Sequence, residues 1–218
     1  MYELFRHGGP VMYPLLVCSV ISLTVIIERF LFWIRVGLNR NRSLVNKVLE
    51  LSRVGDWERI RSLTKGSEDY IVRIIVAGIL HREFSMTKAM ETAAADEIQN
   101  MQKYMGVLDT MITVAPLLGI FGTVLGIILS FEAIGSAGID RPQAVTAGIS
   151  QALITTAAGL GIAILSVFPY NYFNSRIAKA ALTIEKYATS LEIVYQKHLQ
   201  VPRKREDKKD ESKCIAKS

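Results

Sequence analysis

The sequence predicts an all-α integral membrane protein: three transmembrane helices, the second and third extended far into the cytoplasm, plus a small cytoplasmic helical region. Three observations predict it. The chain of 218 residues is 50% hydrophobic although 21% of its residues are charged, so charge and apolarity must be segregated along it. Gly8 to Ile27, Thr110 to Phe131 and Pro142 to Ser175 contain no Asp, Glu, Lys or Arg, and a helix crosses a bilayer with roughly 20 apolar residues. Apolar positions then continue from the second and third runs into charged sequence at spacings of three and four.

The elements follow in order. Residues 1–10 form a short external N-terminus and 11–34 the first span. A single basic residue, Arg6, precedes this run and no Ala-x-Ala site follows it, so it reads as a retained helix rather than a signal peptide. Glu28 and Arg29 mark its inner boundary. Residues 35–106 form a helical loop. Asn39 to Ser52 is apolar at helical spacing, Gly55-Asp56 reads as a helix stop and an N-cap, and Gly66-Ser67 repeats that punctuation before Tyr70 to His81. Met90, Ala94, Ile98, Met101, Met105 and Leu108 carry one stripe into the second span, 107–131, which predicts a single helix from Ser85 to Ser130 about 70 Å long. A short external link, 132–143, leads to the third span, 144–173, bounded by Tyr170 and Asn171. Its extension, 174–201, keeps the stripe Ile177, Ala181, Ile184, Ala188, Leu191, Tyr195 and Leu199, so Ala144 to His198 is predicted as one helix of roughly 80 Å. Pro202 is the expected stop, and "RKREDKKDESK" the start of a disordered basic tail, 202–218.

Basic residues set the orientation. Residues 35–105 carry 12 Lys and Arg and 171–218 carry 11, against one before Val11 and one in the link. The loop and tail are therefore cytoplasmic, and the N-terminus is outside. This asymmetry also explains the net charge of +6. The charges are mixed with Glu and Asp and lack interleaved aromatics, so nucleic acid is not expected as a partner, whereas membrane lipid is. Cys18 in the first span and Cys214 in the tail are too far apart in the topology to pair.

Small residues mark where membrane helices meet, because lipid supplies no hydrophobic drive for their association. Gly119, Gly122 and Gly126 fall on one side of the second helix, just after Pro116. Gly148, Ala152, Thr155, Gly159 and Ala163 form a comparable strip on the third, for packing within or between subunits. Thr123, Ser150, Gln151, Thr155 and Thr156 put polar groups near membrane depth. A Ser or Thr can satisfy itself on the carbonyl four residues back. The Gln151 amide cannot, and should face protein or a wetted lumen. No carboxylate, Lys or His lies in the middle of the second and third spans. Threonine and glutamine can hold a water chain but cannot trap a proton near neutral pH. An ionisable group for proton transfer must come from elsewhere.

The stretches "GGPVMYPLLVCSVISLTVIIERFLFW", "APLLGIFGTVLGIILSFEAIG" and "GISQALITTAAGLGIAI", with Tyr170-Asn171 following, resemble the MotA/TolQ/ExbB proton-channel family, ExbB most and TolQ next. The resemblance implies a homopentamer in the bacterial inner membrane, its lumen lined by the second and third helices. It implies an ExbD/TolR-like single-helix partner supplying an Asp, and a TonB/TolA-like transducer driven by proton-motive force for outer-membrane transport or maintenance. It assigns the proton route to Thr123 of "GTV" and Thr156 of "ALITTA". Two positions depart from the family. Gln151 stands where a glutamate is common, which leaves it hydrogen bonding or water positioning, and Leu165 replaces a proline, with Pro169 one turn later. Two other readings compete: a non-conducting membrane scaffold and a subunit of a solute transporter, the latter wanting repeats or broken helices. No metal-ligand cluster, nucleophile with a base, or phosphate loop stands out, and His7, His81 and His198 are scattered. Neither enzyme activity nor a cofactor is expected.

Overall fold

The computed structural model describes the backbone of residues 8–137 and 142–215; side chains are described within these, apart from several at 133–144 and those from 198 onward. Seven helices are described: α1 Met12–Leu38, α2 Arg42–Val54, α3 Trp57–Thr64, α4 Tyr70–Leu80, α5 Met86–Gln102, α6 Met105–Ala137 and α7 Pro142–Ile215. No strand occurs among the described residues. Three helical stretches, Met12–Leu38, Met86–Glu132 and Val145–Lys197, are long and apolar enough to cross a membrane.

The chain divides into two units, Met1–Trp33 with Gln102–Ser175 and Ile34–Met101 with Arg176–Ser218. The first holds the apolar helices. Leu15, Cys18, Ser22, Val25, Arg29 and Trp33 form the buried stripe of α1, spaced by three and four residues. Val11 and Leu15 pack on Ala115 of α6, joined by Leu118 and Leu125 of α6 and Ala158 and Ile162 of α7. On the opposite faces, large apolar side chains such as Leu23, Phe121 and Leu153 are more than half exposed. Water would not tolerate this pattern, whereas lipid or a second subunit would.

The second unit is built by its caps. Asn41 accepts from the Leu44 amide at 3.0 Å and Asp56 from the Arg59 amide at 3.2 Å. Gly55 closes α2 at φ 80°, a conformation that suits glycine, so the predicted stop and N-cap at Gly55-Asp56 are both present. The cap of α4 is Asp69 rather than the predicted Ser67. Its buried carboxylate accepts from the Ile71 amide at 2.9 Å and from the Asn41 amide at 2.8 Å, tying the starts of α4 and α2 together. Replacing Asp69 with alanine is expected to cost about 2 kcal/mol, since it orphans two amides. Hydrogen exchange should then quicken in α2 and α4 while α1 keeps its protection. Beside this cap, burial pushes the Tyr70 phenol above its usual pKa, opposed by the Arg40 guanidinium, so Tyr70 stays neutral. Met90 closes over Gly78, and Tyr195 of α7 donates to the Arg82 carbonyl at 3.0 Å.

Two helices differ from their predicted extents. The single helix expected over Ser85 to Ser130 is interrupted at Lys103 and Tyr104, where Tyr104 takes φ 63°. That left-handed conformation costs a non-glycine residue about 1–2 kcal/mol. Cations offset the cost, with the Arg29 guanidinium 5.6 Å and Lys103 Nζ 5.0 Å from the Tyr104 ring centre. The third long helix is unbroken through Pro169, as predicted, but its backbone also continues through Pro202 to Ile215. The tail expected over 202–218 has its side chains outside the described residues, as does most of the external N-terminus.

Candidate functional site

The glycine strips of α6 and α7 interlock within one chain. A Cβ added to Gly126 would stand 2.6 Å from the Gly148 carbonyl oxygen, and one on Gly159 would stand 2.4 Å from that of Ala115. At Gly119 the nearest atoms are the Thr155 oxygen and Thr156 Cα, each at 3.1 Å. Ala152 and Ala163 are buried, Ala152 in van der Waals reach of Gly126. Backbone therefore lies on backbone along much of the pair. Ser130 pins one end of it, donating to the carbonyls of Gly126 at 2.9 Å and Val145 at 3.2 Å. Pro116 lies inside α6 and leaves its helix unbroken.

This seam separates two flanks. On one flank lies α1, packed on Leu118, Leu125, Ala158 and Ile162. On the other is an open groove of about 430 Å³, bordered by Thr123, Ile127 and Phe131 of α6 and by Ile149, Ala152 and Leu153 of α7. Thr156 falls three residues after Leu153 and seven after Ile149, on that same side of α7.

The five polar residues singled out by sequence do not share one surface. Thr123 is half-buried at the groove and donates to the Ile120 carbonyl at 2.5 Å. Thr156 reaches across the seam to the Gly119 carbonyl at 3.0 Å. Thr155 is fully buried beneath Gly122 and donates to the Ala152 carbonyl at 2.9 Å, with a longer contact to that of Gln151 at 3.2 Å. It packs the seam and lines no open surface. Ser150 is exposed, a further 100° around α7 from Ile149. Gln151 lies on the α1 flank. Its Nε2 is buried without a hydrogen-bond partner, and a Cβ on Gly9 would come within 2.1 Å of it. Gly9, at φ 68°, has neither the space nor the conformation for a side chain. Gln151 faces protein, one of the two surroundings its amide required, and the structure does not bring it to the groove.

At the predicted boundary, Tyr170 is half-buried and Asn171 exposed. Arg29 proves to be more than a boundary residue. It is 2% exposed, paired with Glu28, donating to its Oε1 at 2.6 Å, and stacked 4.5 Å from the Phe32 ring centre. A lone cation inside the buried stripe of α1 was the available signal. The Gly9–Gln151 contact had no such signal, since the two residues are far apart in sequence.

The available chemistry follows from Thr123 at the groove and Thr156 at the adjoining seam. Each hydroxyl spends its proton on a backbone carbonyl, so each oxygen presents lone pairs. Neither side chain titrates near neutrality. The pair can receive a proton-bearing group and guide it, and cannot store the proton.

Residues 67–186, more than half of the chain, match the MotA/TolQ/ExbB proton channel family. The chain is 34% identical over 204 residues to the putative biopolymer transport protein ExbB-like 3 of Synechocystis, covering 91% of this chain and 97% of that one. Similarity to ExbB-like 1 of the same organism is 32% over 200 residues, covering 88% of this chain and 78% of the relative. The Tol-Pal system protein TolQ of Haemophilus influenzae matches at 40% over 90 residues, 41% of this chain and 40% of its own length. Three apolar helices, a family match over more than half of the chain and a relative matched along 97% of its length place this chain in the MotA/TolQ/ExbB proton channel family, as an ExbB-like membrane protein.

Proposed function

We propose that the chain is the ExbB/TolQ-like subunit of a proton-driven motor in the bacterial inner membrane. The observation that carries this reading is the groove. Thr123 borders it with an acceptor oxygen, Thr156 presents another where it bonds across the seam, and no carboxylate stands in the middle of the second or third span. Half of a proton site is therefore present. An ExbD/TolR-like partner, with one membrane helix and one Asp, supplies the other half from a lumen enclosed by five copies of this chain. The basic asymmetry of the sequence puts the N-terminus in the periplasm and the charged loop and tail in the cytoplasm.

The hydroxyl geometry suggests how the halves interact. A protonated Asp donates to the free lone pairs of Thr123 or Thr156. Once ionised it needs a donor, and a threonine must then turn its O–H away from its carbonyl. For Thr123 this gives up a bond to a carbonyl three residues back, and for Thr156 a bond to the neighbouring helix. The two positions thus bind the two protonation states with different strength, and passage of a proton drives the partner between them. Each proton supplies about 2.3 kcal/mol per 100 mV of membrane potential. A TonB/TolA-like transducer carries the resulting motion to the outer membrane.

The reading is tested in proteoliposomes. The chain reconstituted with its co-purified single-span partner should acidify the vesicle lumen under an imposed potential in sodium-free buffer. Replacing the partner's membrane Asp with Asn should abolish the flux. Equal flux without the partner, or none with it, would sink the motor reading.

A further inference from the structure

A second groove, of about 680 Å³, runs between α5 and the stretch of α7 from Ala178 to Glu192. Its floor is small and apolar, with Ala94, Ala181 and Ala188, and Leu182 stands 66% exposed at its edge. Its polar lining is of one sign. Glu91, Glu185 and Glu192 border it, and among the described residues no Lys or Arg does. Thr87 donates to Glu192 at 2.9 Å, while Glu91 and Glu185 project to solvent. Among the described residues, the groove bordered by Thr123 has no charged lining, so the acidic character belongs to this one.

We infer that this groove docks the basic cytoplasmic flank of the single-span partner, as a helix with an apolar or small face and Lys or Arg at its edges. The inference rests on the proposed function for the existence of that partner. Shape and charge select the occupant. A short floor of alanines lets a helix backbone approach closely, and the exposed Leu182 awaits an apolar counterpart, which is the pattern of a helix laid in a groove. The carboxylates then require a cationic guest. An inner-membrane protein with one span and its folded part outside keeps its Lys and Arg on the cytoplasmic side of that span. Anionic lipid headgroups and nucleic acid carry the wrong sign for three glutamates.

The test is disulfide mapping in the intact complex. Cys18 and Cys214 are replaced by serine, Leu182→Cys is introduced, and each residue of the partner's cytoplasmic flank is changed in turn to cysteine. Cross-links to Leu182→Cys are expected to recur at every third or fourth flank residue. The double variant Glu91→Lys/Glu185→Lys should lower their yield about tenfold, because two attractive pairs become repulsive. Exchanging the flank's Lys and Arg for Glu should restore it. Cross-links confined to a second copy of this chain would overturn the inference in favour of packing between subunits. A complex that forms and conducts protons without flank cross-links would overturn it and leave the motor reading intact. Failure of the partner to co-purify would overturn both.

Discussion

Replacing Gly159 with valine is expected to remove the protein from the membrane fraction almost completely. The added Cβ would lie 2.4 Å from the Ala115 oxygen and 3.2 Å from Gly119 Cα, atoms of backbone that cannot swing aside. The seam must open, and overpacking of this kind costs about 1–3 kcal/mol before the lost contacts of the neighbouring glycines are counted. Gly161, two residues away on α7, is the control. Nothing lies within 4 Å of a Cβ there, so Gly161→Ala should leave abundance and thermal stability unchanged or slightly raised. Quantitative immunoblotting of membranes, with a detergent melting curve for each variant, separates the outcomes. Equal abundance of Gly159→Val and wild type would mean that α6 and α7 do not meet as described.

The second large effect concerns function rather than assembly. Thr156→Val should leave the helix pair standing, since valine matches threonine in shape and the lost hydrogen bond to the Gly119 carbonyl is worth about 1 kcal/mol. On the proposed proton route, flux and transport should nevertheless fall more than tenfold, because an acceptor on that route is removed and a barrier rise of only about 1.4 kcal/mol produces that factor. Thr123→Val should behave alike. Thr156→Ser and Thr123→Ser should retain most of the flux, as the hydroxyl is kept. Thr155→Val supplies the contrast, because that hydroxyl is buried under Gly122 and should affect stability without a specific loss of flux. Normal flux in both Thr123→Val and Thr156→Val would remove the groove from the proton route.

The particular residues show which features a sequence encodes openly. The three spans were legible because about 20 consecutive apolar residues have one use in a membrane protein. Gly55-Asp56 was legible because an αL stop and an N-cap are satisfied by their immediate neighbours. Tyr104 was not, since its backbone conformation is supported from another helix, by Arg29. The polar membrane residues fall between these cases. Helical spacing gives their angles around α7, so Thr155 and Thr156 are plainly 100° apart. It does not say which angle α1 covers. Only the contact with Gly9 shows that Gln151 is enclosed, and only the bond to the Gly119 carbonyl shows that Thr156 meets the seam.

The glycine seam also has a mechanical meaning. Glycine and alanine have no rotamers, so the contact between α6 and α7 holds no side-chain freedom that load could redistribute. A joint made of main chain is stiff, whereas one made of leucines can creep as its side chains hop. A motor needs a part that resists the torque it generates. The glycines that look like gaps in an apolar sequence would make this pair of helices the unyielding half of such a machine.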